Sequence, residues 1–365
     1  MKVKNKVIVF SAVVSALLWG VLAANGFEQA LSLTAALTLL IAILWVTEAL
    51  PIPVTSLIPF VAFPMAGVID YKEAASALGS HVILLLMGAF MLSKALEKSG
   101  VHRRIAVYML RLCGASSAKR LVLGFMLTSA VLSMWISNTA TTLMLLPIAM
   151  AIITSMNSPK LAAALLLGIA YSASLGGVGT PIGTPPNIIF MSVYQQTTGT
   201  ELSFINWMMT GVPIVLIAIP IMAFWLTRKL SDMPDCDLPK AGDWRPAEKR
   251  VLIVFGIVAL AWIFRPYWSV WMGMTLVSDS TIAIAGVVLM FLVPNGDKEK
   301  PDQLLDWKTA EAIPWGMLLL FAGGICMAKA FTASGLSLLL GEALTGLSAL
   351  PIVLTLLVLC LAVSF

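Results

Sequence analysis

The stretch "WISNTATTLMLLPIA", residues 135–149, decides the fold. It lies inside an apolar run bounded by Arg120 on one side and Lys160 on the other. Ser137, Asn138 and Thr139 stand side by side near the middle of that run. Three consecutive polar side chains are costly in hydrocarbon unless something binds them. The run 121–156 is too long for one membrane span, which needs about 20 residues, and short for two spans with a loop. Divided at Ser137-Asn138-Thr139, each arm has roughly 16 residues and rises about 24 Å, less than the ~30 Å hydrocarbon core. The economical reading is a re-entrant helical hairpin that turns within the membrane. A non-helical tip at that depth is tolerated where it lines a cavity or is buried in protein.

The rest of the chain places this hairpin in a polytopic helical membrane protein. Of 365 residues, 59% are hydrophobic and 11% are charged, against roughly 25% charged in a soluble domain. The formal charge of +5 would suggest nucleic acid in a soluble chain. Here the basic residues fall in short loops between apolar runs, where they set topology, so no nucleic-acid partner is expected. Spans are expected near 7–24, 30–49, 53–68, 81–98, 162–178, 205–227, 251–264, 277–293 and 315–334. The first, in "MKVKNKVIVFSAVVSALLWGVLAANG", has the outline of a signal peptide, but further spans follow at once and it reads as a transmembrane helix. Cys113, Cys236, Cys326 and Cys360 form no C-x-x-C pair, and His81 and His102 are isolated. No metal-ligand or redox spacing results, and these residues read as packing and loop positions.

Basic residues test the topology. With the N-terminus in the cytoplasm and the hairpin counted as no crossing, 19 Lys and Arg fall on the cytoplasmic side, among them Lys98, Arg103, Arg104, Arg111, Lys119, Arg120 and Lys240. Only Lys72 and Arg265 fall outside, while Lys94 and Lys329 lie within spans. If the hairpin crossed once, every later loop would flip and the bias would weaken.

A second interruption follows in "YSASLGGVGTPIGTPPNII", residues 171–189. Gly176, Gly177, Gly179 and Gly183 with Pro181, Pro185 and Pro186 cannot continue an α-helix. The expectation is a broken helix, unwound near 177–186, with a second half starting at Pro185-Pro186. The alternative is an ordinary surface turn, against which no charged residue occurs between Lys160 and Glu201. An internal repeat is also visible: "LLLMGAFMLSKALEKSG" (84–100) aligns with "LLFAGGICMAKAFTASG" (319–335), and "DYKEA" (70–74) echoes "DWKTA" (306–310). The topology runs the two copies in opposite directions, as in secondary transporters built from inverted repeats.

Two helix breaks meeting near the midplane would expose carbonyls at one half-helix end and free N–H groups at the next. Those carbonyls and the hydroxyls of Ser133, Ser137 and Thr139 are hard oxygen ligands for a small cation such as Na⁺. The N–H ends, the Asn138 amide and the Thr184 hydroxyl suit the oxygens of an anion. Between Arg120 and Glu201 the only charged side chain is Lys160. A bound anion would therefore be balanced by cations and helix dipoles, a physical reason for cation-coupled anion transport.

"SNTATT" (137–142), "GTPPN" (183–187) and "WVTEALPIPVTSLIP" (45–59), in this order, resemble the divalent anion/sodium symporter family over nearly the whole chain. The resemblance implies eleven spans, two re-entrant hairpins, a scaffold that dimerises in the inner membrane and a transport domain that moves as an elevator. It implies a sodium site of Ser133, Ser137, Asn138 and the Gly183 backbone, with Asn138, Thr139 and Thr184 on a substrate carboxylate. Thr184 stands where many members have serine, and Glu48, with Pro51 and Pro53, matches a structural corner. On this reading residues 1–80 are scaffold and the start of the first repeat. Residues 81–200 are a transport-domain half with hairpin (121–156) and broken helix (162–198). Residues 201–312 are scaffold and linkers, and 313–365 a second transport half. Members carry a second Ser-Asn-Thr hairpin and a second broken helix, neither of which occurs before "LAVSF", so the second repeat is expected to be truncated.

The function expected is sodium-coupled symport of a divalent anion, foremost a C4-dicarboxylate such as succinate, malate or fumarate. Sulfate or citrate transport and a passive anion channel are the alternatives. An embedded enzyme would need a nucleophile with its base, or a metal cluster, and the broken segments contain no His, Asp or Glu.

Overall fold

The computed structural model describes residues 2–114, 116–156, 158–230, 242–343 and 352–364. Cys236 and Lys240, and the two end residues of the last apolar arm, Pro351 and Phe365, lie outside the described residues. The first helices are α1 (Lys2–Ala24), α2 (Gln29–Thr47), α3 (Ile52–Thr55), α4 (Ile58–Met65), α5 (Tyr71–Leu78) and α6 (His81–Ser99). Then come α7 (Val101–Cys113), α8 (Ala118–Ser133), α9 (Asn138–Met156), α10 (Pro159–Gly176), α11 (Pro185–Thr198) and α12 (Phe204–Thr227). The last are α13 (Pro246–Trp271), α14 (Asp279–Leu292), α15 (Trp307–Ala310), α16 (Trp315–Ala333), α17 (Leu336–Ala343) and α18 (Ile352–Ser364). Among the described residues there is no strand, only a bridge between Pro294 and Gln303. The fold is all-α and polytopic: eight stretches of the described residues are long and apolar enough to cross a membrane.

Local chemistry sets the helix ends. Side-chain oxygens of Asp70, Ser117, Ser158, Ser203 and Asp306 accept the backbone N–H three residues on, each satisfying a donor orphaned in a first turn. Gly100, at φ +76°, turns the chain in the left-handed region between α6 and α7.

Three expected spans differ in extent. The stretch expected as a span at 53–68 is two short helices, α3 and α4, parted at Ser56-Leu57, where the Ser56 hydroxyl donates to the Ile52 carbonyl and accepts from the Trp45 indole. The expected span at 277–293 is α14, 14 residues long and rising about 21 Å. The expected span at 251–264 extends through Arg265 to Trp271. That arginine does not end the helix because it is ion-paired at 2.6 Å with both Glu201 and Asp279. In the hairpin, α9 is 19 residues long, about 28 Å, longer than the arm expected from dividing the run at Ser137.

The chain forms two compact units, residues 1–83 with 315–365, and residues 84–314. In the first, α16 lies against α3, α4 and α5 around a core of Phe63, Ile69, Ala74, Ala77, Cys326 and Ala330. Lys329 of α16 donates to the Ser76 hydroxyl at the end of α5. In the second, α8 packs chiefly on α10, with further contacts to α7 and α12. Phe125, Met126, Leu161, Leu165 and Phe204 are fully buried there. Lys98 at the end of α6 is ion-paired at 2.6 Å with both Asp302 and Asp306.

Candidate functional site

The hairpin arms α8 and α9 are joined by residues 134–137. The turn is fastened from its own ends: the Ser137 hydroxyl accepts the Ala140 N–H at 3.2 Å, capping α9. Asn138 is thus the first residue of α9. Its carbonyl accepts from the Thr142 hydroxyl at 2.8 Å, and its side-chain Oδ1 accepts from the Ser133 hydroxyl at 2.5 Å. The amide Nδ2 is left to other partners. First-turn position also leaves the Asn138 and Thr139 N–H groups without intrahelical acceptors.

The second interruption is a break of the kind the glycines and prolines predict. Helix α10 ends at Gly176, a short 3₁₀ turn covers Gly177–Gly179, and α11 starts at Pro185. Gly177 and Gly183 approach so closely that a Cβ on Gly183 would sit 2.5 Å from the Gly177 carbonyl oxygen and 2.9 Å from its Cα. Only glycine allows that approach without a shift of backbone.

Around Gly177 the two interruptions converge. A Cβ placed there would lie 3.1 Å from Asn138 Oδ1, 3.2 Å from the Gly183 carbonyl oxygen and 3.3 Å from Thr184 Cβ. Ser133, Asn138 and Gly183, expected at the sodium site, and Thr184, expected at the substrate carboxylate, are therefore neighbours. Ser137 and Thr139 are at the exposed edge of the turn, with the Ser137 hydroxyl engaged as a cap. Thr184 occupies the N-cap position of α11, yet its side chain makes no capping bond, so its hydroxyl is free for a ligand. One expectation needs revision: the N-terminus of α11 presents few donors to an anion. Pro185 and Pro186 carry no N–H, and the Asn187 N–H is used on the Thr184 carbonyl. At the two interruptions the open first-turn N–H groups are those at the start of α9.

A set of residues not singled out from sequence holds the break in shape. The buried Asn187 amide donates to the carbonyls of Gly177 and Thr180, both at 2.8 Å. The buried Thr180 hydroxyl donates to the Met134 carbonyl at 2.5 Å, tying the break to the hairpin turn. The Trp207 indole of α12 donates to the Val178 carbonyl at 2.8 Å. Trp135 of the turn stacks on Phe204, which stacks on Trp262. The signal for Asn187 was present, since it closes the "GTPPN" motif; Thr180 and Trp207 carried no local mark.

Chemically the site offers neutral oxygens: the Asn138 amide, the Ser133 hydroxyl and the Gly183 carbonyl. Such a set can replace part of the water shell of an alkali cation. Among the described residues no group of three His, Cys, Asp or Glu side chains is placed to hold a metal ion. The donor set thus fits a hard, weakly held cation rather than a thiolate- or imidazole-bound metal.

Comparison with known proteins gives consistent results. The family model described as "Citrate transporter" matches residues 42–365. The sodium-dependent dicarboxylate transporter SdcS of Staphylococcus saprophyticus is 39% identical over 345 residues, covering 87% of this chain and 66% of that protein. The protein of the same name from Staphylococcus aureus (strain USA300) is 38% identical over 336 residues, covering 86% of this chain and 64% of that protein. The chain thus spans just under two thirds of the length of these curated relatives.

Proposed function

We propose, for a chain that belongs to the citrate transporter family and, with its relatives, to the divalent anion/sodium symporters, that it carries dicarboxylates across a membrane together with sodium. The family is one of transporters rather than enzymes. The observation that carries the reading is the convergence of Asn138, Gly183 and Thr184 on Gly177 in a stretch free of charged side chains between Lys160 and Glu201. Sodium binds among Ser133, Ser137, Asn138 and the Gly183 carbonyl. A substrate carboxylate binds on the other side of Asn138, at the Asn138 Nδ2, Thr139 and Thr184. With no arginine between Arg120 and Glu201, the substrate's charge is balanced by sodium and by the positive end of α9. Sodium bound first therefore raises substrate affinity, and the coupling is reciprocal.

The substrate class is a C4-dicarboxylate such as succinate, malate or fumarate, narrower than the dicarboxylate that the relatives' name states. Citrate is the second reading, favoured by the description of the family model. The protein works as a homodimer in the cell's inner membrane. Its N-terminus is cytoplasmic, and a transport half made from residues 81–200 and 313 onward moves as an elevator against scaffold helices.

Uptake of radiolabelled succinate and citrate by the protein its gene encodes, in proteoliposomes with and without an inward sodium gradient, tests this. Concentrative, sodium-dependent succinate uptake is expected, lost in Asn138→Ala. Uptake that never exceeds equilibrium would mark a channel, and accumulation driven by a proton gradient alone would remove sodium. Single cysteines at Lys72 and at Arg103 test the orientation. Only the first should react with an impermeant thiol reagent in intact cells.

A further inference from the structure

A cavity of about 480 Å³ opens at the junction of α6, α7 and the start of α13, away from the helix breaks. Four cations line it, Lys98, Arg103, Arg104 and Arg245, against two carboxylates, Glu97 and Glu248. A neighbouring cavity of about 450 Å³ shares Lys98 and Arg245 and adds Lys298 and Asp297. Most of these charges already have partners. Lys98 is paired with Asp302 and Asp306, and Glu97 with Lys94. Glu248, buried, is shared between Arg104 and Arg245. The two guanidiniums on Glu248 are offset by the two carboxylates on Lys98, so the unbalanced charge is that of Arg103, which is exposed on α7 and has no acidic partner among the described residues.

The fold places Arg245. Its Nη2 donates to the Ser99 carbonyl at 2.6 Å, beside Gly100. A Cβ on Gly100 would come within 2.7 Å of that same nitrogen. The left-handed turn between α6 and α7 therefore admits a guanidinium that any side chain at 100 would displace. The Arg245 side chain is nevertheless 63% exposed.

Helix α7 buries Val101, Ala106, Val107 and Leu110 and leaves Leu112 89% exposed. Tyr108 stacks on Trp244, and both are partly exposed. An amphipathic helix with basic residues, an exposed leucine and paired aromatics suits the headgroup level of a membrane. We propose that this cavity binds the phosphodiester of an anionic glycerophospholipid through Arg103 and Arg245, with its acyl chains along the stacked Tyr108 and Trp244 beside Arg104 of the cavity wall. A soluble phosphate would use the same guanidiniums but would gain nothing from the apolar flank.

Native mass spectrometry of the detergent-purified protein, at the full length its gene encodes, tests the assignment with added phosphatidylglycerol, phosphatidylcholine and inorganic phosphate. Phosphatidylglycerol adducts should exceed phosphatidylcholine adducts severalfold. Each of Arg103→Gln and Arg245→Gln should lower that preference by about fivefold, and the double variant should abolish it. Lys119→Gln with Arg120→Gln, basic residues outside the cavity, should leave the preference unchanged. Arg103→Gln alone keeps the test decisive if Arg245→Gln does not fold, because Arg103 is exposed and forms no described ion pair. Equal retention of the two lipids, or an unchanged preference in Arg103→Gln, would overturn the proposal. So would displacement of the lipid by millimolar inorganic phosphate, which would assign the guanidiniums to a soluble anion.

Discussion

Asn187→Asp removes two hydrogen bonds without changing side-chain volume. The Asn187 amide nitrogen donates to the carbonyls of Gly177 and Thr180 at 2.8 Å, and the residue is buried. A buried acceptor left unpaired costs about 1–3 kcal/mol. The Thr180 carbonyl keeps a longer bond from the Gly183 N–H at 3.3 Å, so its loss lies at the low end, while the Gly177 carbonyl loses its side-chain donor outright. The sum is about 2–4 kcal/mol, and an ionised carboxylate facing two carbonyl oxygens adds repulsion. If that energy holds the break in its liganding shape, the fraction of protein with a formed site falls, and apparent affinity falls with it. At about 1.4 kcal/mol per tenfold, the sodium concentration for half-maximal uptake should rise at least tenfold. The assay is sodium-dependent uptake in proteoliposomes, with thermal unfolding in detergent alongside. Asn187→Ala should lie in the same direction, since it also lacks the donor. A variant Asn187→Asp with unchanged sodium dependence and unchanged unfolding temperature would refute the view that this amide shapes the site.

Gly183→Ala should abolish uptake at a cost of about 1–3 kcal/mol in stability, because its Cβ would press on the Gly177 backbone; uptake kinetics and an unfolding curve check both. Glu248→Gln should lower the unfolding temperature, since it leaves the buried Arg104 guanidinium without its counter-charge. Glu248→Gln combined with Arg104→Gln should be less damaging than the two single losses added together. The Lys98 ammonium, hydrogen-bonded to both, holds the carboxyls of Asp302 and Asp306 below the ordinary carboxylate range. A depressed carboxyl stabilises the folded protein above its ordinary value and loses that contribution as pH falls below it. Limited proteolysis of the 295–303 segment should therefore be unchanged from pH 8 to 5 and should increase only below about pH 4.

The amino-acid sequence by itself determined the class of this protein and both interruptions. Apolar runs, basic loops and Ser or Asp caps are local signals, read over one or two helical turns. Glycine and proline at 176–186 exclude a continuous helix whatever surrounds them. The family resemblance carried by "SNTATT" and "GTPPN" is what put Ser133, Asn138, Gly183 and Thr184 near one another as an expectation. The tertiary structure alone decided how the freed carbonyls are satisfied. The donor to the Val178 carbonyl is Trp207, 29 residues away, and the acceptor for Thr180 is Met134, 46 residues back. It also decided that α13 runs past Arg265, because the acids that neutralise that charge come from Glu201 and Asp279. It decided as well that Arg104 is buried, because its carboxylate stands on another helix, 144 residues on. A helix break leaves backbone groups whose partners are chosen by packing, and packing brings together residues whose separation in the chain carries no periodic signal.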